Sequence, residues 1–215
     1  MQFFPDCPNL NVLLSKRTQE ISRDLATFQT EQSVFTTKMK LVFNLSVTQS
    51  NVASLQELAD TLICDKWLNR DLPTDFTDAD FKQIYYIRAF MLSSLYAGEV
   101  AKAINGPYLL ALLENMQLKI SNKLGPKKYT SIAIHDLNMI PLLTFYNLTS
   151  GECLRKQFKN QTVTENCVDP IPFASNLIFE LHQNDSAPSS YIVKVRYNGV
   201  YYKIFGKNTT EIDFT

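Results

Sequence analysis

The stretch YTSIAIHDLNMIPLL, from Tyr129 to Leu143, decides how the rest of the chain is interpreted. Its first six residues are rich in apolar and β-branched side chains, which is typical of a buried strand. The pattern breaks at His135-Asp136, and the residues that follow have the pattern of a helix begun by Asp136. Pro141 should restrict that helix to about one turn before a kink. One of only two histidines in the chain therefore lies at a predicted strand-to-helix junction, beside a carboxylate.

Such a junction can bind an anion. Open α/β sheets bind ligands at the carboxyl ends of their strands, and a helix N-terminus favours negative charge there. His135 can donate a hydrogen bond to an oxyanion, and Asp136 can donate a proton. The alternative is purely structural, with Asp136 as a helix N-cap and His135 as a strand-end residue whose ring is satisfied locally. For an isolated His-Asp dipeptide, the structural alternative is the more frequent one.

The composition describes a globular chain of neutral charge. The 215 residues have zero net charge and 45% hydrophobic residues, enough for a core, with nothing that indicates nucleic-acid or anionic-membrane binding. No apolar run reaches the ~18 residues that span a bilayer, and the first residues lack the features of a signal peptide. No C-x-x-C pair occurs, and neither a metal nor a cofactor is expected.

Cysteines and glycosylation sequons favour an oxidising compartment. The four cysteines are Cys7, Cys64, Cys153 and Cys167, and the sequons lie at Asn44, Asn147, Asn160, Asn184 and Asn208. Cys153 and Cys167 flank a short segment, so a local disulfide is expected there. Cys7 and Cys64 would then pair with each other or with partners outside these residues, since four cysteines allow three pairings. We expect a secreted, lysosomal or endomembrane-lumen location for a full-length form, and a natural beginning upstream of Met1.

Helical periodicity dominates the first 125 residues. It predicts one helix from Asn9 to about Gln32 and another capped by Ser50 or Asn51. VFTTKMKLVFN is compatible with helix or strand. A strong helix begins at Thr77 or Asp78 and should stop at Asn105-Gly106, after which Pro107 should open a further helix through about Ile120.

Strands dominate after residue 125. The segment from Thr149 to Pro172 is polar and is predicted to be a loop or hairpin pinned by the local disulfide. PFASNLIFEL, SSYIVKVRYN and VYYKIF are predicted strands, and Asn198-Gly199 between the last two is a hairpin turn signal. The chain thus divides into a mainly helical region, 1–125, and an α/β region, 126–215, which together form one incomplete domain with a mixed sheet flanked by helices.

The stretch around His135 resembles the second active-site motif of the histidine acid phosphatases, a strand followed by His-Asp and a helix. Four further segments resemble parts of that family in the same order along the chain: CPNLNVLLSKRTQE, CDKWLNRDLPTDFTDADFKQI, NGPYLLALLENM and PFASNLIFEL. Each likeness is loose, whereas the ordered set is specific and spans nearly all 215 residues. The resemblance implies a histidine-phosphatase-like fold in which residues 1–125 form a helical cap and the N-terminal part of the sheet is missing.

The resemblance also implies a reaction, hydrolysis of a phosphomonoester through a phosphohistidine intermediate. In the family, a histidine of an Arg-His-Gly-x-Arg-x-Pro motif attacks phosphorus, and arginines and the histidine of the His-Asp pair hold the phosphoryl oxygens. By that match His135 binds phosphate and Asp136 is the general acid. The implied partner is a phosphomonoester substrate, and the resemblance is compatible with a homodimer. Neither nucleic acid nor a membrane span is expected.

The sequence departs from the family pattern at two places. It contains no Arg-His-Gly, and its other histidine, His182, does not follow an arginine and shares a strand face with Glu180. We interpret His182 as a surface residue and Arg88 as a salt-bridge partner on its helix. In IAIHDLNM, Ile134, Leu137 and Asn138 replace the small residue and the threonines of many relatives. We therefore expect an acid phosphatase that is inactive as this chain alone, or else a catalytically dead phosphate-binding or interaction module of the same fold.

Overall fold

The computed structural model describes residues 9–46, 52–169, 172–184, 187–204 and 209–214, and the α/β class is confirmed. This part of the chain contains eight helices and one four-stranded sheet. The helices are α1 (Leu10–Glu20), α2 (Ser22–Glu31), α3 (Ser33–Val42), α4 (Val52–Trp67), α5 (Asp78–Leu95), α6 (Gly98–Ile120), α7 (Asp136–Phe145) and α8 (Gly151–Phe158). The strands are β1 (Leu177–Asn184), β2 (Ala187–Tyr197), β3 (Val200–Tyr202) and β4 (Glu211–Phe214).

The first predicted helix is in fact two helices. It breaks at Ile21, which is buried and lies between α1 and α2. The ambiguous segment VFTTKMKLVFN is helical and forms most of α3, which places Met39 in the core. The predicted cap of α4 at Ser50 or Asn51 lies outside the described residues.

Helix α5 begins where the sequence predicts, because its N-terminus is closed by local hydrogen bonds. Thr77 is the N-cap: its hydroxyl oxygen accepts from the Asp80 N–H, and Asp80 Oδ2 accepts from the Thr77 N–H at 2.8 Å. This reciprocal arrangement is a capping box. The Lys38 ammonium of α3 lies 2.5 Å from the same carboxylate oxygen, so the cap also ties α3 to α5.

Substituting Asp80 is expected to destabilise the fold in a pH-dependent way. Burial by itself raises the pKa of Asp80, but Lys38 and the two Thr77 donors lower it, and the net shift is downward. A carboxyl whose pKa is lower in the folded state contributes stability above its unfolded pKa of about 3.9, and this contribution disappears as the pH falls through the folded value. Asp80→Ala should therefore cost about 1–2 kcal/mol at pH 7.

Urea unfolding of both proteins at pH 7 and at pH 2.5 measures this effect. The difference in unfolding free energy should shrink strongly at the lower pH. Asp71→Ala, at an exposed position before α5, is the control and should change little. An equal cost of Asp80→Ala at both pH values would contradict the role of the carboxylate.

Two helices cover this region, but the predicted position of the break between them was wrong: α5 ends at Leu95, and α6 begins at Gly98 and does not stop at Asn105-Gly106. It runs unbroken through Pro107 to Ile120. A proline inside a helix removes one backbone hydrogen bond and crowds the preceding turn. Here the same helix buries Val100, Ile104 and Met116, and this packing outweighs the local preference.

The segment before His135 has no regular secondary structure and is not the buried strand that its composition predicts. Residues 129–134 pair with no strand among the described residues, and Tyr129 and Ile132 are exposed. A strand needs a neighbour to satisfy its backbone groups, and β1 to β4 pair with one another instead. Pro141 also does not kink α7 after one turn. It lies fully buried inside a helix that continues to Phe145.

The segment between Thr149 and Pro172 is a helix followed by a loop, whereas a loop or hairpin was expected. Ser150 caps α8, and its hydroxyl accepts from the Cys153 N–H at 3.0 Å. The expected local disulfide joins Cys153 on α8 to Cys167 at the end of the loop, with a Cα–Cα distance of 5.8 Å.

The three predicted strands are confirmed, and a fourth, β4, completes an antiparallel sheet. Strand β2 lies at its centre, with β1 along one edge and both β3 and β4 along the other. Asn198-Gly199 forms the turn between β2 and β3, with both residues at positive φ. Along β1 and β2, side chains alternate between the face that packs on α7 and the outer face.

Two main hydrophobic clusters hold these elements together. The first joins α2, α3, α4, α5 and α8 and includes Phe28, Met39 and Ile87. The second joins α7 to the inner face of the sheet and includes Leu143 and Val195. Because α8 belongs to the first cluster and α7 to the second, residues after 125 take part in both.

Candidate active site

His135 and Asp136 lie at the exposed start of α7. His135 is the N-cap residue, with extended backbone angles, and Asp136 is the first residue of the helix. The structural alternative predicts Asp136 as the N-cap. The observed N-cap is His135, so the helix begins one residue earlier than that alternative predicts. His135 is exposed and Asp136 is half-buried, which leaves the pair open to solvent at a helix N-terminus.

Both carboxylate oxygens of Asp136 accept hydrogen bonds. Oδ1 accepts from the Leu137 N–H at 2.8 Å, and Oδ2 accepts from Arg88 Nη2 at 2.6 Å. The same Arg88 nitrogen lies 2.8 Å from Asp60 Oδ1. Arg88 from α5 thus joins Asp60 of α4 to Asp136 of α7, which agrees with its interpretation as a salt-bridge residue.

This bridge is partly shielded from water. The side chain of Arg88 is 12% exposed, against 37% for Asp136 and 63% for Asp60. A charge-assisted bond to a mostly buried guanidinium is stronger than an exposed ion pair. The two donors use two of the roughly four lone-pair sites of the carboxylate, so Asp136 keeps capacity for a further partner.

Two tyrosines on α5 and at its end adjoin the bridge. Burial raises the pKa of Tyr96, and the negative charge of Asp136 raises it further. Burial raises the pKa of Tyr85 to about 12, with contributions from Tyr197 and Asp169 that outweigh the opposite effect of Arg88. Both phenols are therefore neutral near pH 7 and can serve as hydrogen-bond donors beside the junction.

Asn138 replaces a threonine of many relatives and closes the first turn of α7. Its side-chain oxygen accepts from the His135 N–H at 3.4 Å, and the residue is 2% exposed. A buried side chain thus holds the backbone of His135 in place. In the sequence this asparagine is a departure from the family pattern, and its role was not predicted. An amide at the third helical position is nevertheless a known capping pattern.

His182, the other histidine, is a surface residue, as the sequence indicates. It lies on the outer face of β1, with Nε2 3.0 Å from Glu180 Oε2. Glu180 also accepts from Tyr201 and pairs with Arg196 at 3.2 Å. This cluster stabilises the outer face of the sheet and includes neither His135 nor Asp136.

Arg88 reaches the His-Asp pair through Asp136, whereas other arginines of the described residues bond groups elsewhere. Arg17 binds the Ser94 carbonyl, Arg155 pairs with Glu31, and Arg196 pairs with Glu180. The described part of the chain also contains no group of three or more His, Cys, Asp or Glu side chains arranged to hold a metal ion. Within the same part, no helix is long and apolar enough to cross a membrane.

Three of the five sequon asparagines have a local backbone role. Asn44, Asn147 and Asn160 are exposed and have positive φ directly after α3, α7 and α8. Asparagine tolerates this left-handed conformation, which ends many helices. Asn208 lies outside the described residues, as do the two residues that follow Asn184 in its sequon. Glycosylation and the predicted location therefore stay predictions.

The remaining cysteines leave one prediction open. Cys64 is exposed on α4. Its expected partner, Cys7, lies outside the described residues, so the pairing of Cys7 with Cys64 stays a prediction.

The fold and the junction together define a class: an α/β protein in which a His-Asp pair opens a helix that packs against the sheet. The chain belongs to the histidine phosphatase superfamily (branch 2), whose family model matches residues 6–198. No curated protein matches the chain. Membership supports a phosphatase-type function in general and implies a phosphoester substrate.

Proposed function

We propose that the chain binds the phosphoryl group of a phosphomonoester at the N-terminus of α7, with His135 as a phosphate ligand and Asp136 as the proton donor to the leaving group. The observation that carries this proposal is the exposed His-Asp pair at a helix start in a chain matched by the histidine phosphatase family over residues 6–198. A helix N-terminus supplies N–H donors and a positive end for the phosphoryl oxygens.

The proposed reaction is hydrolysis through a phosphohistidine. A histidine nitrogen attacks phosphorus, the ester P–O bond breaks, and Asp136 gives its proton to the departing oxygen. Water then attacks phosphorus, the P–N bond breaks, and Asp136 takes up the proton of that water. The attacking histidine belongs to an Arg-His-Gly motif in the family, and the 215 residues contain none. These residues alone are therefore expected to bind phosphate without turnover.

The second candidate is a phosphate-binding or interaction module without catalysis. The bridge from Arg88 to Asp136 favours it, because both oxygens of that carboxylate already accept hydrogen bonds within the fold. Both candidates share the phosphate site and differ in turnover.

Binding of inorganic phosphate, followed by NMR, tests the shared site. Phosphate should shift the backbone amide resonances of Leu137 and Asn138, and His135→Ala should weaken this binding about tenfold or more, the loss expected for a hydrogen bond to a charged group. His182→Ala removes the other histidine, on the outer sheet face, and should leave the binding unchanged.

Hydrolysis of p-nitrophenyl phosphate at pH 4–6 separates the two candidates. We expect no turnover above buffer for the chain alone. Turnover that His135→Ala abolishes would overturn this expectation and establish catalysis. Absence of the Leu137 and Asn138 shifts at millimolar phosphate would reject the phosphate site itself.

A further inference from the structure

A cavity of about 430 Å³ lies on the other side of α5 from the Arg88 bridge. It is bounded by α1, the end of α5 and the start of α8, and neither His135 nor Asp136 lines it. Successive residues of a helix are about 100° apart, so Phe90 and Ser94 project roughly 200° and 240° around α5 from Arg88. The cavity is therefore separate from the candidate active site.

The inner wall of the cavity presents hydroxyl groups without partners. Ser93 is 4% exposed and Ser94 9% exposed, and both line the cavity. Neither hydroxyl makes a hydrogen bond among the described residues. Buried hydroxyls without partners are costly, and a ligand or water in the cavity would satisfy them.

The N-terminus of α8 adds backbone donors to the same wall. Ser150, Gly151 and Glu152 line the cavity, and the Ser150 hydroxyl satisfies only the Cys153 N–H. The N–H groups of the first two helical residues have no acceptor within the helix. Gly151 lies so close to α5 that a Cβ there would come within 2.0 Å of Ser94 Oγ. The Ser94 hydroxyl thus packs directly against the start of α8, and both residues line the cavity.

Two guanidinium groups complete the donor set. Arg17 uses Nε for the Ser94 carbonyl at 2.9 Å and Nη1 for Glu20, and Arg155 uses Nε and Nη2 for Glu31. One terminal nitrogen of each remains without a hydrogen bond in the described part of the chain. Planar guanidinium groups of this kind are well suited to oxyanions.

The acidic residues of the lining lie at the rim and not on the inner wall. Glu152 is 74% exposed and pairs with Lys156 at 2.9 Å, and Asp24 is exposed. The buried wall therefore presents donors, whereas the carboxylates are in water. This distribution of charge favours an anion at the inner end of the cavity.

We propose that this cavity is a second anion site, which binds a phosphoryl group between the start of α8, the Ser93 and Ser94 hydroxyls and the two arginines. The ligand is inorganic phosphate or a phosphate monoester. The cavity volume falls within the range of small-molecule sites and leaves room for the organic part of an ester.

A phosphate titration of the whole chain, monitored by NMR, tests the site. Chloride is lowered as phosphate is added, so that the ionic strength stays constant. The amide resonances of Gly151 and Glu152 should shift on binding. Ser93→Ala combined with Ser94→Ala should weaken this binding about a hundredfold or more, because each hydroxyl would otherwise bond a charged group and each such bond is worth about tenfold or more. Ser121→Ala, on the exposed end of α6, is the matched control and should have no effect.

The cavity site and the site at His135 should bind phosphate independently. His135→Ala should leave the Gly151 and Glu152 shifts unchanged, and their loss in that variant would overturn a separate site. No shift at tens of millimolar phosphate, or equal affinity after both serine substitutions, would also overturn it. If the double variant does not fold, Arg155→Gln, which removes one half-buried guanidinium of the lining, should weaken the binding about tenfold or more. Tighter binding of p-nitrophenyl phosphate than of inorganic phosphate would identify an ester as the ligand, and the reverse would identify free phosphate.

Discussion

Phe28→Ala is expected to lower the free energy of unfolding by about 3–5 kcal/mol, which is the usual cost of deleting a buried phenyl ring. Phe28 is fully buried in α2 and stacks on Phe90 of α5 with ring centroids 3.9 Å apart. Tyr86 meets the same ring edge-on at 5.5 Å. Removing the phenyl group therefore leaves a cavity between α2 and α5 that neither neighbouring ring can fill without moving.

Chemical denaturation monitored by circular dichroism measures this cost. For a chain of this size, the melting temperature should fall by about 2–4 °C for each kcal/mol. Phe28→Leu keeps most of the volume and should cost much less, and Val34→Ala, at a side chain that is 83% exposed, should cost almost nothing. A loss below about 1 kcal/mol for Phe28→Ala would contradict the packing described for the first cluster.

The same variant also separates the stability of the fold from the function of the candidate site. Phe28 of α2 packs on Phe90, which projects from a different side of α5 than Arg88, and the cluster that contains Phe28 includes neither His135 nor Asp136. Phosphate binding by Phe28→Ala, measured well below its melting temperature, should therefore match that of the unaltered chain. Equal losses of stability and of phosphate affinity would instead mean that the α2–α5 packing positions the Arg88 bridge.

Local signals in the sequence predicted local structure well. The start of α5 could be predicted because a capping box needs only residues three positions apart, Thr77 and Asp80. The turn at Asn198-Gly199 and the three strands around it are equally local. The disulfide between Cys153 and Cys167 was expected from their short separation.

Tertiary packing decided the features that the sequence did not predict. Pro107 and Pro141 lie inside helices, because the apolar faces of α6 and α7 are buried along their length. Residues 129–134 have the composition of a strand, but composition does not supply the neighbour that a strand requires. The bridge from Arg88 to Asp136 joins residues 48 positions apart on different helices, and no spacing in the sequence indicates that contact.

Removing the Cys153–Cys167 disulfide is expected to lower the free energy of unfolding by about 3 kcal/mol, from the entropy of closing a loop of this length in the unfolded chain. The two cysteines are 14 residues apart. The native ends of the loop are also held without the disulfide, because the Val168 N–H donates to the Leu148 carbonyl at 2.8 Å and Thr149 Oγ1 donates to the Val168 carbonyl at 3.2 Å. The native structure should therefore survive while its stability falls.

Cys153→Ala combined with Cys167→Ala tests this expectation against Cys64→Ala, which removes the exposed cysteine of α4 and should have little effect. The double variant should keep its far-UV circular dichroism at 25 °C and melt about 6–12 °C lower. Reduction of the unaltered chain should reproduce most of this shift. A disulfide stabilises a protein largely by restricting the unfolded chain. A double variant as stable as the control would therefore mean that contacts around Val168 persist in the unfolded chain and already restrict it. A double variant without secondary structure would mean that α8 requires the covalent link to dock on α5.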